Sequence, residues 1–93
     1  MSNKILIADD DRSIVELIRL YLEKEGFICI TAENGKIALD KFKSDSPSLV
    51  ILDVMMPEMD GWQVCREIRK TSSTPIIMLT AKGETFDKVL GLE

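Results

Sequence analysis

Short apolar runs alternate along the chain with longer segments in which apolar and polar residues share a helical spacing. The four runs are Lys4–Ala8, Phe27–Ala32, Leu49–Leu52 and Pro75–Thr80. Continuous apolar runs of this length are typical of strands buried on both faces of a parallel sheet, and such strands alternate with covering helices. We therefore predict four parallel strands, each followed by a helix.

The segment after the first strand predicts an amphipathic helix that starts at Ser13. Its expected inner stripe has helical spacing and consists of Ile14, Leu17, Ile18, Tyr21 and Leu22. We expect either Asp11 or Ser13 to cap the first turn. Gly26 is expected to end the helix, because glycine takes a positive φ without steric cost.

Three more helices are predicted. The second opens at Asn34 and Gly35 and is followed by a loop at residues 44–47; its apolar residues are Ile37, Ala38, Leu39 and Phe42. The third begins near Gly61, and its inner residues are Val64, Cys65 and Ile68. The fourth spans Glu84–Glu93. Because no linker or repeat interrupts this order, we predict one α/β domain with helices on both faces of a parallel sheet.

Composition places the chain among soluble folded proteins. It has 93 residues, 45% of them hydrophobic, and a formal net charge of −4. This negative charge argues against non-specific binding of nucleic acid. No stretch approaches the roughly 20 apolar residues of a membrane span, and the N-terminus lacks a signal-peptide pattern, so we expect no membrane association and a cytoplasmic location.

The residue types present limit the possible chemistry. Cys29 and Cys65 are single cysteines within apolar patterns, and we predict reduced thiols rather than a disulfide or a metal site. The chain has no histidine. This excludes serine-histidine-aspartate and cysteine-histidine nucleophile systems as well as histidine-bound zinc. Carboxylates, hydroxyls and lysines must therefore carry any chemistry.

Polar residues stand at the carboxyl ends of three predicted strands. Asp9 and Asp10 follow the first strand, Asp53 follows the third, and Thr80 ends the fourth. Ligands of open α/β sheets bind beyond this edge, so the four side chains are expected to converge if those strands are neighbours. Taken singly, Asp9 and Asp10 are explained as favourable charge at a helix N-terminus, and Asp53 as a turn residue.

Three carboxylates at one point repel one another unless a cation compensates. Mg²⁺ is the expected cation, because it prefers oxygen ligands and usually takes one or two carboxylates together with water and a phosphate oxygen. Two chemistries remain open: the carboxylates hold Mg²⁺ for the phosphate of another molecule, or one of them becomes an aspartyl-phosphate. The Thr80 hydroxyl favours a phosphoryl ligand, and no glycine-rich loop is present to hold a nucleotide.

Three segments resemble the signature segments of bacterial response-regulator receiver domains. They are residues 5–11, 49–61 and 75–81, and the most specific of them carries Pro57 and Gly61 after Asp53. The resemblance implies a flavodoxin-like (CheY-like) fold and the receiver domain of a two-component signal-transduction response regulator. Such a domain is a phosphoacceptor and switch rather than an enzyme.

The resemblance also implies a role for each residue at the predicted edge. Asp53 matches the residue that accepts a phosphoryl group from the phosphohistidine of a sensor histidine kinase. Asp9 and Asp10 match the residues that hold Mg²⁺, and the set is completed by Asp53 and the backbone carbonyl of Met55. Thr80 matches the switch hydroxyl, which moves toward the phosphoryl group.

The family pattern extends beyond this sequence. A complete receiver has a fifth strand with a lysine that pairs with the phosphoryl group, an aromatic switch residue and a fifth helix. We therefore expect residues 1–93 to be a receiver fragment, from the first strand to the fourth helix, without an output domain. Lys82 and Lys88 are not expected to replace the lysine, so phosphorylation of this fragment is expected to be weak.

Partners follow from the same resemblance. Residues 60–62 and 81–84 are most similar to the winged-helix (OmpR/PhoB-type) subfamily, so DNA is expected only through an output domain. Without a fifth strand the fourth would lie at the sheet edge, which predicts a homodimer or a segment-exchanged assembly.

Two other classes are weighed against the receiver. A phosphatase of the haloacid dehalogenase type would need a second acid where Met55 stands. A flavodoxin-like cofactor binder would need a phosphate-binding loop in place of the aspartates at residues 9–11.

Overall fold

The computed structural model describes residues 3–79, in which strands and helices alternate. The strands are β1 (Lys4–Ala8), β2 (Ile28–Ala32), β3 (Leu49–Asp53) and β4 (Ile76–Leu79), and the helices are α1 (Arg12–Lys24), α2 (Gly35–Asp45) and α3 (Gly61–Arg69). The strands pair in parallel in the order β2-β1-β3-β4. This confirms the predicted parallel α/β fold and makes β1, β3 and β4 neighbours. The predicted helix at residues 84–93 lies outside the described residues.

The larger apolar core lies between one face of the sheet and helices α2 and α3. Its most deeply buried members come from all of these elements: Leu6, Ala38, Val50, Leu52, Val64 and Ile68. The inner sides predicted for α2 and α3 are therefore confirmed. Fully burying one such aliphatic side chain contributes about 1.5–3 kcal/mol, so this cluster is a main source of the stability of the fold.

Helix α1 covers the other face of the sheet, and its predicted inner stripe is wrong at three positions. One of them is Ile14, which is 37% exposed. Val15 is the buried residue of α1, and Ile18 and Leu22 pack beside it against β1. Leu17 and Tyr21, predicted to face inward, are each 69% exposed. Because α1 packs over β1 and β2, the line through Val15, Ile18 and Leu22 meets the sheet, and the neighbouring flank of the helix does not.

Capping side chains set the helix ends. The Asp11 carboxylate accepts hydrogen bonds from the N–H groups of Ser13 and Ile14, so Asp11 rather than Ser13 caps α1. Gly26 has the expected positive φ, 95°. Helix α2 continues through Asp45, so the loop predicted from residue 44 begins too early. The helix ends where Ser46 takes a left-handed conformation and its N–H reaches the Phe42 carbonyl.

Both cysteines lie within the described residues and are free, half-buried thiols, as predicted. Burial raises the pKa of the Cys29 thiol, so this thiol is protonated at neutral pH.

None of the described helices has the length and apolarity needed to cross a bilayer.

Candidate functional site

The carboxyl ends of β1 and β3 bring three aspartates together. Ala8 at the end of β1 is paired in register with Leu52, so Asp9 and Asp53 extend from adjacent points of the sheet. One carboxylate oxygen from each of Asp9, Asp10 and Asp53 lies within 4.8 Å of the others. The strand order is responsible for this convergence, because it places β1 directly beside β3.

The three carboxylates differ in their exposure to solvent. Asp9 and Asp53 are each only 4% exposed, whereas Asp10 is exposed. The Asp9 carboxylate accepts a hydrogen bond of 2.9 Å from the N–H of Asp11, which orients it at the entry to α1. Two buried oxygen donors and one facing solvent suit a hard cation that keeps part of its water shell, as Mg²⁺ does. The donor set of the described residues therefore fits Mg²⁺.

The loop between β3 and α3 begins immediately after Asp53. Its ends are joined by a hydrogen bond of 2.9 Å from the Gly61 N–H to the Val54 carbonyl. Gly61 sits so close to the strand end that an added Cβ would lie 2.4 Å from the Asp53 carbonyl oxygen. Within the loop Met55 is 60% exposed, while Met56 is buried in the core. Met55 thus lies on an exposed part of the loop, close in sequence to Asp53.

Thr80, the predicted switch hydroxyl, lies outside the described residues, as do Lys82 and Lys88. The strand that leads to Thr80 is described through Leu79, whose carbonyl accepts a hydrogen bond of 3.1 Å from the Val54 N–H. The carboxyl ends of β3 and β4 are therefore adjacent.

A pocket beside Asp9, on the side of β2, is not predicted by the sequence pattern. Its volume is about 310 Å³, and its polar lining includes Asp9, Arg12, Thr31 and Lys41. The Lys41 ammonium group donates a hydrogen bond of 2.7 Å to the Thr31 carbonyl on the edge strand β2. Arg12, Thr31 and Lys41 come from three successive elements, α1, β2 and α2, and only the packing of these elements brings them beside Asp9. The pocket shares the Asp9 wall with the acidic cluster.

Comparison with known proteins identifies relatives that cover most of this sequence. A family model described as response regulator receiver domain matches residues 5–93. The chain is 51% identical over 94 residues to the alkaline phosphatase synthesis transcriptional regulatory protein PhoP of Bacillus subtilis, covering 100% of the chain and 39% of that protein. It is 53% identical over 90 residues to the probable transcriptional regulator ycf27 of Porphyra purpurea, covering 97% of the chain and 37% of that protein. The chain thus spans less than half the length of these curated relatives.

A solved structure has a similar fold. The response regulator protein TrrA from Thermotoga maritima, determined in complex with Mg²⁺-BeF, is 43% identical in sequence and superposes with a TM-score of 0.83. The match covers 98% of this chain and 78% of that chain.

Proposed function

Since the chain belongs to the response regulator receiver domain family, we propose that its Asp53 accepts a phosphoryl group in the presence of Mg²⁺. The chain is the receiver domain of a two-component response regulator, related to PhoP and ycf27. Receiver domains are signalling switches rather than classical enzymes, interact with histidine kinases and bind Mg²⁺ at an acidic pocket. The phosphatase and the cofactor binder are not favoured, because the matching proteins are response regulators.

The observation that carries the proposal is the convergence of three carboxylates at one edge of the sheet. Asp53 ends β3, and its oxygen lies within 4.8 Å of those of Asp9 and Asp10. When bound, Mg²⁺ would neutralise part of the charge on these groups and on a phosphoryl oxygen. The residues proposed to hold it are Asp9, Asp10, Asp53 and, through its backbone carbonyl, Met55.

The proposed transfer uses Asp53 as the nucleophile. Its carboxylate oxygen attacks the phosphorus of a phosphohistidine, forming a P–O bond while the P–N bond breaks and the imidazole leaves with the bonding electrons. Because Asp53 is only 4% exposed, little water competes with it, and electrostatic interactions with the incoming phosphoryl group are stronger than in water. Thr80 is proposed as the hydroxyl that responds to the phosphorylated state, and this role rests on the family resemblance.

The output of the whole protein is also a proposal. The relatives PhoP and ycf27 are named as transcriptional regulators, and this chain matches 39% and 37% of their lengths. We propose that phosphorylation of this receiver controls transcription through a DNA-binding region of the whole protein, in the cytoplasm. Binding of the full-length regulator to promoter DNA before and after phosphorylation tests this, and equal affinity in both states contradicts it.

Removing two carboxylates from the cluster is expected to abolish metal binding. In the wild-type protein, Mg²⁺ or Mn²⁺ should change the fluorescence of Trp62, which is 41% exposed in the first turn of α3 next to the loop. The double variant Asp10→Asn and Asp53→Asn should show no saturable response, because neutral amides replace two of the three anionic ligands. Fluorescence titration and calorimetry measure this.

The matched control is the double variant Asp40→Asn and Asp45→Asn, which removes the same charge from α2. It should bind the metal as the wild type does. Unchanged binding in the cluster variant would reject the proposed metal site.

We further propose that the 93-residue chain self-associates through β4. In the described part of the chain, β4 has β3 as its strand partner and lies at the edge of the sheet. Its residues are all apolar, with Ile76 and Met78 buried and Ile77 half-buried. An apolar edge strand without a charge to block it favours pairing with another copy.

The substitution Ile77→Lys should shift the chain toward monomer at every concentration, because a charge on an edge strand opposes strand pairing. Sedimentation equilibrium across a concentration series measures the shift. Ile28→Lys, on the opposite edge strand β2, is the control and should leave the association unchanged. A wild-type chain that stays monomeric throughout the series contradicts the proposal.

A further inference from the structure

The first residue of α2 lies directly against the loop between β3 and α3. A Cβ added at Gly35 would lie 1.8 Å from the carbonyl oxygen of Met59 and 2.7 Å from its carbonyl carbon. Both atoms belong to the backbone, so no change of side-chain rotamer relieves the overlap. Gly35 is buried in this contact, and only a residue without a Cβ lets the two main chains approach so closely.

Helix α2 cannot easily move away from the loop. The Asn34 side chain caps the helix by accepting a hydrogen bond of 2.8 Å from the Ile37 N–H. One and two turns further along, Ala38 and Phe42 are buried in the main core. A shift of the helix would break these contacts together, so a displacement is expected in the loop instead.

The loop is itself internally braced. The bond from the Gly61 N–H to the Val54 carbonyl closes it, and the Met59 N–H donates a second bond of 2.8 Å to the Pro57 carbonyl. Glu58, which lies between Pro57 and Met59, adopts a left-handed conformation with φ of 71°, which few non-glycine residues take. Because these hydrogen bonds restrain the loop, we expect a displacement of Met59 to shift the neighbouring loop residues as well, including Met55.

We propose that Gly35 is a positioning residue for the metal. Because Gly35 has no Cβ, α2 packs closely against the β3–α3 loop, and this close packing fixes the position of the Met55 carbonyl relative to Asp53. The inference rests on the proposed Mg²⁺ site. The three carboxylates belong to residues that follow β1 or end β3, and none of them takes part in the contact between Gly35 and Met59. Gly35→Ala therefore leaves three ligands in place and displaces the fourth.

The expected consequence is weaker but not abolished metal binding. To relieve the overlap, Met59 must shift by on the order of 1 Å, and misplacements of this size have large effects at binding and catalytic sites. Loss of groups that orient metal ligands typically lowers affinity by about 10–100-fold. We expect Gly35→Ala to lower Mg²⁺ affinity by at least about tenfold.

Gly26→Ala is the matched control. Gly26 has φ of 95° and no atom within 4 Å of an added Cβ, so alanine there strains the backbone without touching the loop. Both variants should lose thermal stability relative to the wild type. Only Gly35→Ala should lose Mg²⁺ affinity, measured by titration of Trp62 fluorescence in the folded protein.

Water proton relaxation with bound Mn²⁺ supplies a readout that stability alone does not change. If the Met55 carbonyl leaves the metal, a water takes its place, so Gly35→Ala should raise the relaxivity per bound ion while Gly26→Ala leaves it unchanged. A folded Gly35→Ala protein with wild-type affinity and relaxivity overturns the inference and leaves the metal site intact. A wild-type protein that binds no metal overturns both.

If Gly35→Ala does not fold, Asn34→Ala tests the same coupling without adding atoms. It removes the hydrogen bond that caps α2 and so destabilises the N-terminal turn of the helix, which packs against the loop. Weaker Mg²⁺ binding with an unchanged circular dichroism spectrum supports the inference, and wild-type binding overturns it.

Discussion

The variant Asp53→Asn is expected to accept no phosphoryl group. In the full-length response regulator with Mg²⁺, acetyl phosphate or a phosphorylated histidine kinase should add one acid-stable, base-labile phosphoryl group to the wild type. The amide of asparagine has nearly the same shape as the carboxylate but no negative charge, so it is a poor nucleophile. Since Asp53 is only 4% exposed and ends a central strand, a replacement of similar shape preserves the fold. Intact mass spectrometry measures the modification.

The control for this prediction is Asp40→Asn, which changes an exposed carboxylate on α2 outside the cluster. It should be labelled as strongly as the wild type. Digestion of the labelled wild-type protein should place the phosphoryl group on the peptide that contains Asp53. Wild-type labelling of Asp53→Asn would mean that another carboxylate is the acceptor.

The variant Leu6→Ala is expected to lose about 2–5 kcal/mol of unfolding free energy. Leu6 is fully buried in β1, between β2 and β3, and belongs to the larger core. Truncation to alanine removes buried apolar surface and leaves a cavity that close-packed neighbours fill only in part. Because small domains are stable by only about 5–15 kcal/mol in total, the change should be evident as a lower midpoint of urea unfolding.

Leu20→Ala makes the same chemical change on the surface of α1, where Leu20 is 59% exposed. It should change the unfolding free energy by no more than about 0.5 kcal/mol. Equal losses in the two variants would contradict the assignment of Leu6 to the core. Far-ultraviolet circular dichroism of both proteins, followed through the urea transition, provides the comparison.

The strands and the acidic cluster are features that local sequence predicts well. A strand covered on both faces of a sheet requires a continuous apolar run, so the positions of β1 and β3 can be identified without knowing their neighbours. Parallel strands share one carboxyl edge, so Asp9 and Asp53 could be assigned to the same edge of the sheet once the two strands were identified. The Asn34 cap is also a local feature, because its side chain accepts a hydrogen bond from Ile37 in the first turn of α2. Such features depend on residues close together in the chain, or on a topology that the order of elements restricts.

Contacts between distant segments were decided by the tertiary structure alone. The helical spacing in α1 fits two overlapping stripes, and only the position of the helix over β1 and β2 buries Val15 and leaves Leu17 and Tyr21 exposed. Gly35 packs against the backbone of Met59, and no sequence pattern links these two segments. Sequence by itself thus determined where the strands lie and which strand ends carry carboxylates, because these follow from short-range periodicity and strand direction. That these carboxylates meet was decided by the strand order, which places β1 beside β3. Which face of a helix is buried, and how closely two main chains approach, depend on the placement of whole elements, and only the folded packing decides that placement.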